Sequence, residues 1–281
     1  MRSPEPAKRT IAQISDLHFG RHNSEIMEDL LSSIDQSHLD LVALSGDFTQ
    51  RTKHSEFAQA RRFLDKISYP KLVVPGNHDV PLYNVFDRFI RPFKKYDRYV
   101  APVGQPGSFF RDDELAVLGL NTARRFTRKN GRVSHSQIAH ILDAFSALPD
   151  AIFKVIVTHH PLGFPTGQAP LEVAGRSRIA LQAITSAGVH LLLSGHHHRA
   201  QSGGSAQIAG EGTVLIVHAG TAISTRTRRP EGNTYNLIQI VRNRVSVTVM
   251  EWTEGRGFLE NNVKVYLFES NRWQPSLIRM G

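Results

Sequence analysis

Cysteine is missing from all 281 residues. That excludes disulfides, thiolate zinc sites, iron–sulfur clusters and cysteine nucleophiles, so any bound metal must be held by nitrogen and oxygen donors. No apolar run approaches the roughly 20 residues that cross a bilayer. The first ten residues, Met1 to Thr10, have no apolar signal-peptide core, and a cytoplasmic enzyme is the expectation. Internal repeats, low-complexity tracts and a glycine-rich nucleotide loop are also lacking. Acidic residues are fewer than basic ones, 25 against 34, which leaves a formal charge of +9. Such a balance favours encounters with nucleic acid, an anionic membrane surface or a phosphorylated substrate, and is equally the mark of a surface tuned for solubility.

What is present describes a globular chain: 40% hydrophobic and 21% charged residues. The length suits one large α/β layer structure, so residues 1–281 are expected to form a single domain with a core over about 10–250 and a C-terminal extension over 251–281. Short apolar runs predict buried strands at Thr10–Ser15, Leu41–Ser45, Leu72–Val74, Leu115–Leu120, Ile152–Thr158, His190–Ser194 and Val214–Val217. Helical spacing recurs between them: Ile26, Leu30, Leu31 and Ile34 share one face within Glu25–Ser37, as do Phe57, Phe63, Leu64 and Ile67 within Glu56–Ile67. Ser134 and Gln137 have capping-box spacing ahead of Ile138, Ile141, Leu142 and Phe145. Tyr235–Val241 and Val245–Met250 read as a hairpin, and Val263–Phe268 as a further, alternating strand. Alternation of strands and helices predicts an α/β fold.

Five of the predicted strands end in polar clusters: Asp16 and His18, Gly46 and Asp47, Gly76 to Asp79, His159 and His160, and Gly195 to His198. One such cluster alone is most simply a capped turn or a solvated loop. Five at equivalent strand ends converge on one edge, because ligand sites of open α/β sheets gather beyond the carboxyl ends of the strands. The donors Asp16, His18, Asp47, Asn77, His159, His196 and His198 exceed what one tetrahedral ion requires, whereas two ions sharing a carboxylate would use them all. Two carboxylates leave such a pair with excess positive charge, which suits a bridging hydroxide and a phosphoryl group.

The order Asp-x-His, Gly-Asp, Gly-Asn-His-Asp, His-x-Pro, Gly-His-x-His resembles the calcineurin-like metallophosphoesterase superfamily over roughly residues 10 to 250, and within it the bacterial class III cyclic-nucleotide phosphodiesterases. The resemblance implies a four-layer αββα sandwich of two mixed sheets flanked by helices, with the metal site at the strand C-terminal ends. It implies that Asp16, His18 and His198 hold one metal, that Asn77, His159 and His196 hold the other, and that Asp47 bridges them. His160 and His197 fall on non-ligand positions. His78 is the expected catalytic residue, stabilising phosphoryl oxygens or protonating the leaving group, with Asp79 orienting it. Two ions drawn from manganese, iron, zinc and cobalt are the expected cofactors.

One departure stands out. The second motif commonly ends in Asp or His, whereas here the position is Gln50, which can hydrogen bond but carries no charge. Asn121 and Arg124 follow a predicted strand and could reach the same edge. The basic stretch of Arg128, Lys129 and Arg132 and the cluster Thr225–Arg229 read as solvated surface. Val85–Tyr99 reads as a helix packed on the protein's own core, with a lipid-facing cap as the alternative. The expected partner is a small phosphodiester such as a cyclic nucleotide. Nucleic acid, a lipid-linked phosphodiester or pyrophosphate, and a non-catalytic scaffold are alternatives, and a homodimer could form through Tyr235–Met250 or the chain end with Trp252 and Trp273.

Overall fold

A computed structural model describes residues 8–82, 84–105, 108–127, 129–167, 172–205, 213–227 and 231–276. Arg128, Arg228 and Arg229 of the two basic clusters lie outside them. Two mixed sheets stack face to face and carry helices on their outer faces. The first sheet runs in the order β13 (Arg272–Pro275), β12 (Gly257–Glu269), β11 (Arg244–Thr253), β10 (Thr234–Val241), β1 (Arg9–Ile14), β2 (Leu41–Leu44), β3 (Lys71–Val73). The second runs β4 (Phe109–Arg111), β5 (Leu115–Leu120), β6 (Phe153–Thr158), β7 (Leu191–Ser194), β9 (Leu215–His218), β8 (Gln201–Gly204). This is the four-layer αββα sandwich the resemblance implied.

The strands read as unbroken apolar runs because both of their faces are covered. Side chains alternate across the sheet plane: Ile11, Leu41 and Ala43 meet Val117, Val155, Leu193 and Val217 between the sheets. Ala12, Val42 and Leu44 face outward against α1 (Ser24–Asp35) and α2 (His54–Lys66). On the far side Ala116, Leu118, Ile156 and Leu192 face α5 (His135–Ser146) and α6 (Ser177–Ser186). The expected capping box opens α5: the Ser134 hydroxyl accepts from the Gln137 N–H at 3.1 Å, and the Gln137 carbonyl oxygen accepts from the Ser134 N–H at 3.0 Å.

β1, β2 and β3 are parallel, as are β5, β6, β7 and β9. The strand ends that carry polar clusters therefore open on one rim. Beneath that rim a polar clamp ties the sheets together. Buried Gln13 donates to the Ser194 carbonyl at 3.0 Å and accepts from Asn236 at 2.9 Å, and Asn236 donates onward to the His218 carbonyl. A satisfied buried network of this kind fixes the relative position of the layers.

Two expectations are overturned here. Tyr235–Met250 cannot offer a dimer edge, because β10 and β11 are paired on both sides, to β1 and β12. Trp273 of β13, one of the two edge strands of that sheet, is buried, and the Trp252 indole donates to Asp29 of α1 at 2.7 Å. Val85–Tyr99 is not one core-packed helix but two short ones, α3 (Val85–Ile90) and α4 (Lys94–Tyr99). α4 buries Tyr96, whereas α3 is inside out. Its Arg88 is buried and donates to the Pro81 and Thr127 carbonyls at 2.8 Å, while Val85, Phe86 and Ile90 are each more than 60% exposed.

Candidate metal centre

The strand-end loops set the donors in unusual backbone conformations. Asp16, His18, Asp47, His196 and His198 all have positive φ, between 48° and 73°. For residues with a Cβ this region costs about 1–3 kcal/mol each and survives only where the surroundings over-determine it, which is typical of functional sites. Gly76 and Gly195 allow close approach: a Cβ on Gly76 would run into the Asp47 carboxylate, and one on Gly195 into Ser15 and Asp16.

The seven donors come together in two groups. His18 Nε2 and His198 Nε2 stand 3.6 and 3.4 Å from Asp16 Oδ1. His159 Nε2 is 3.2 Å from Asn77 Oδ1 and 3.3 Å from His196 Nδ1. Asp47 Oδ2 lies between the groups, 3.8 Å from His18 Nε2 and 3.4 Å from His159 Nε2. Donors about 2.0–2.2 Å from a shared cation are separated by roughly 3–3.5 Å, so the spacings suit ions with nitrogen and oxygen ligands.

Each carboxylate has one oxygen pinned and one left to the centre. Asp16 Oδ2 accepts from Ser15 Oγ at 2.6 Å and from the His196 N–H at 3.1 Å, while Asp16 Oδ1 is buried with no hydrogen-bond partner. Asp47 Oδ1 accepts from the His78 N–H at 2.8 Å, which leaves Oδ2 for both groups. The histidines are aimed in the same way. His159 Nδ1 donates to the Ser45 carbonyl at 2.7 Å, and His198 Nδ1 meets the Thr221 hydroxyl, turning each Nε2 inward. Both ring nitrogens of His18 are buried without a partner. A polar atom in that state costs free energy unless a cation satisfies it.

Electrostatics agree. Burial alone would raise the carboxyls of Asp16 and Asp47, but neighbouring histidines outweigh it and hold both below the usual range. Burial would lower His159, yet the Asp47 charge and hydrogen bond push it up to about 9. Burial and the charge of His159 push His196 down to about 3. A cation entering between these groups would displace the His159 proton.

His78 borders the centre: its ring is edge-on to His18 at 4.9 Å, and its Nδ1 is 3.0 Å from the backbone carbonyl of Gln50. The expectation that Asp79 orients His78 is corrected. The Asp79 carboxylate instead accepts from the N–H groups of Gly76, Phe48 and Thr49 at 2.9–3.2 Å, locking the loops after β2 and β3 together. Burial and the Asp47 charge push Asp79 up to about 6. His160 meets the Thr122 hydroxyl through Nδ1 at 2.8 Å, and its own ring lies beside those of His159 and His196.

The donors open into a cavity of about 890 Å³. Its wall includes Arg21, Gln50, Arg51, Lys129 and Arg226. Lys129 and Arg226, read from sequence as solvated surface, thus face the centre, although Lys129 is paired with Glu172 at 3.0 Å. Asn121 and Arg124 do not line it. Arg124 is bound to Gln137 and to the Asn121 carbonyl, and Asn121 borders a separate, smaller cavity. Thr221 and Arg226 both come from the loop after β9, which up to Arg226 contains no histidine or carboxylate to mark it in the sequence.

Two packed mixed sheets, with a histidine and carboxylate cluster on the rim of their parallel strands, define the scaffold of a metal-dependent phosphoesterase. Residues 9–200 match the family model described as calcineurin-like phosphoesterase, and the chain belongs to that family. Among curated relatives it is 26% identical over 208 residues to the glycerophosphodiester phosphodiesterase GpdQ of Enterobacter lignolyticus, covering 67% of this chain and 70% of that one. It is 22% identical over 173 residues to a probable cyclic nucleotide phosphodiesterase of Vesicomyosocius okutanii, covering 54% and 74%. The fold resembles a dimetal phosphatase from Danio rerio, with a TM-score of 0.64 and 14% identity over 94% of this chain and all of that one. It also resembles a purple acid phosphatase from yellow lupin seeds, with a TM-score of 0.66 and 10% identity; the match covers 93% of this chain but spans only 54% of the lupin chain. Among the described residues no helix is long and apolar enough to cross a membrane.

Proposed function

We propose that the protein is a two-metal phosphodiesterase acting on a small phosphodiester such as a cyclic nucleotide. The observation that carries this reading is the sharing of Asp47 Oδ2 between two complete donor groups. On this reading Asp16, His18 and His198 would hold one ion and Asn77, His159 and His196 a second, with Asp47 available to both. Bound divalent ions supply a nucleophile at neutral pH and Lewis acidity toward phosphoryl oxygens.

The remaining work falls to the chain's own groups. His78 donates from Nδ1 to the Gln50 carbonyl, so that its Nε2 turns toward the cavity. There His78 is placed to hydrogen bond the phosphoryl oxygens as charge builds, or to pass a proton to the leaving oxygen as water's oxygen bonds to phosphorus and the P–O bond to the leaving group breaks. The positive wall holds an anionic substrate against the centre. Curated relatives named for glycerophosphodiester and cyclic-nucleotide hydrolysis support a diester rather than a monoester.

The test is hydrolysis of bis(p-nitrophenyl) phosphate against the p-nitrophenyl monoester, with manganese supplied, in wild type and Asn77→Ala. Diester turnover should exceed monoester turnover, and the substitution should reduce it by roughly 100-fold or more. Equal turnover in both proteins would remove Asn77 from the centre. A second reading, a lipid-linked phosphodiester, is favoured by one observation: the apolar residues of α3 are exposed beside Val80 and Leu82 of the cavity wall. It requires a micellar phospholipid diester to be turned over faster than its short-chain analogue.

A further inference from the structure

We infer that Gln50 and Arg226, with Arg21 and Arg51, form an anion subsite beside the metal centre that takes a second phosphoryl group of the substrate. This rests on the phosphodiesterase reading and deepens it: among small diesters, those that carry a further phosphate on one arm are preferred over a simple cyclic mononucleotide.

Three loops build the subsite. Arg21 follows β1, Gln50 and Arg51 follow β2, and Arg226 follows β9. The loops that carry them are tied to one another, while the three arginines themselves stand exposed on the wall. The N–H and hydroxyl of Thr225 donate to the Arg21 carbonyl at 2.7 and 3.0 Å, and the Arg226 N–H donates to Ser224 Oγ at 3.1 Å. The Gln50 N–H donates to the Phe19 carbonyl at 3.0 Å, and the Arg226 guanidinium donates to Gln50 Oε1 at 3.2 Å.

The charge on this wall is not neutralised. The cavity is lined by two carboxylates, Asp47 and Glu172. Asp47 faces the donor set, and Glu172 is paired with Lys129. Among the described residues no carboxylate lies within ion-pairing distance of Arg21, Arg51 or Arg226.

Gln50 explains how Arg226 stays both ordered and charged. An amide oxygen fixes the guanidinium through a hydrogen bond, whereas a carboxylate at the same place would cancel its charge. The backbone carbonyl of the same residue holds His78, so one loop sets both the proton donor and the anion subsite.

A simple diester carries one negative charge, and the metal centre meets it. Three further guanidinium groups, exposed on the wall and without a carboxylate partner among the described residues, are placed to meet a second anion of the substrate. Their planar donor forks match phosphoryl oxygens. A cavity of about 890 Å³ is also larger than a small diester needs, at the upper end of the few hundred to about 1,000 Å³ usual for ligand pockets.

The test compares thymidine 3′-(p-nitrophenyl phosphate) with its 5′-phosphorylated form, on manganese-loaded wild type, Arg226→Ala and Gln50→Glu. Each protein is its own control, since only the ratio of kcat/KM for the two esters is read. Wild type should favour the 5′-phosphorylated ester by about tenfold, chiefly through KM, and both variants should bring the ratio toward one. A wild-type ratio near one, or a preference untouched by both substitutions, would overturn the subsite.

Calorimetric binding of thymidine 3′,5′-bisphosphate against thymidine 3′-phosphate reads the same preference without turnover. If neither ester is cleaved, the phosphodiesterase reading fails, and binding alone decides the subsite. Tighter binding of the bisphosphate that Arg226→Ala abolishes would uphold the subsite, and equal binding of the two ligands would remove it.

Discussion

Alanine at Asp47 is expected to lower metal-dependent hydrolysis of bis(p-nitrophenyl) phosphate by roughly three orders of magnitude, about 4 kcal/mol of transition-state stabilisation. The size follows from position. Asp47 Oδ2 lies 3.8 Å from His18 Nε2 and 3.4 Å from His159 Nε2, so its removal takes a donor from both groups at once. The negative charge that keeps these histidines near one another goes with it, and so does the hydrogen bond that seats the His78 backbone. Asparagine retains the shape and the bond to His78 without the charge, and should fall between alanine and wild type. Circular dichroism separates this loss from unfolding. Wild-type turnover in a folded Asp47→Ala protein would mean that the two donor groups do not act as one centre.

The second large effect comes from a residue with no functional group. Gly195→Ala places a methyl against Ser15 Oγ and Asp16 Oδ2, the oxygen held in place by Ser15 and the His196 N–H. Relief of that overlap must move either the carboxylate or the loop carrying His196 and His198. Overpacking should cost about 1–3 kcal/mol of stability, and the displaced donors should reduce hydrolysis by roughly 100-fold. Gly255→Ala provides the contrast. Gly255 has positive φ, at +70°, which Gly195 does not, but nothing lies within 4 Å of its would-be Cβ. That change should cost about 1 kcal/mol through backbone strain alone and leave hydrolysis intact. Equal loss of activity in the two variants would refute close approach as the reason for glycine at 195.

The contrast between these glycines also shows what the sequence could and could not reveal. Gly46, Gly76 and Gly195 were visible as turn formers ahead of polar residues, and the apolar runs before them marked the strands. The central strands are legible because doubly covered strands leave a continuous apolar signal, as at Leu115–Leu120 and Phe153–Thr158, whereas their order and register are not. The short edge strands β4 and β8 were not legible. β8 is Gln-Ser-Gly-Gly, a composition with little strand preference that is held by pairing with β9.

Long-range polar contacts were hidden for a different reason. Gln13 lies within the apolar run Thr10–Ser15, and its partners Ser194 and Asn236 are far away in sequence. The role of Asp79 is likewise set by backbone N–H groups, and that of Gln50 toward His78 by its own backbone carbonyl. Those are atoms that a motif spelled in side chains does not show. α3 misled because its spacing is that of an amphipathic helix, whereas the buried member is Arg88, drawn inward by two backbone carbonyls.

If the strand-end donors hold metal, hydrolysis depends on it. The most direct measurement is metal content by mass spectrometry, after exhaustive chelation and reloading with manganese, alongside diester hydrolysis on the same samples. Two ions per chain in wild type, at most one in Asp47→Ala, and activity that vanishes on chelation and returns on reloading are the results predicted. Full activity in the chelated protein, or wild-type metal content in Asp47→Ala, would contradict the account.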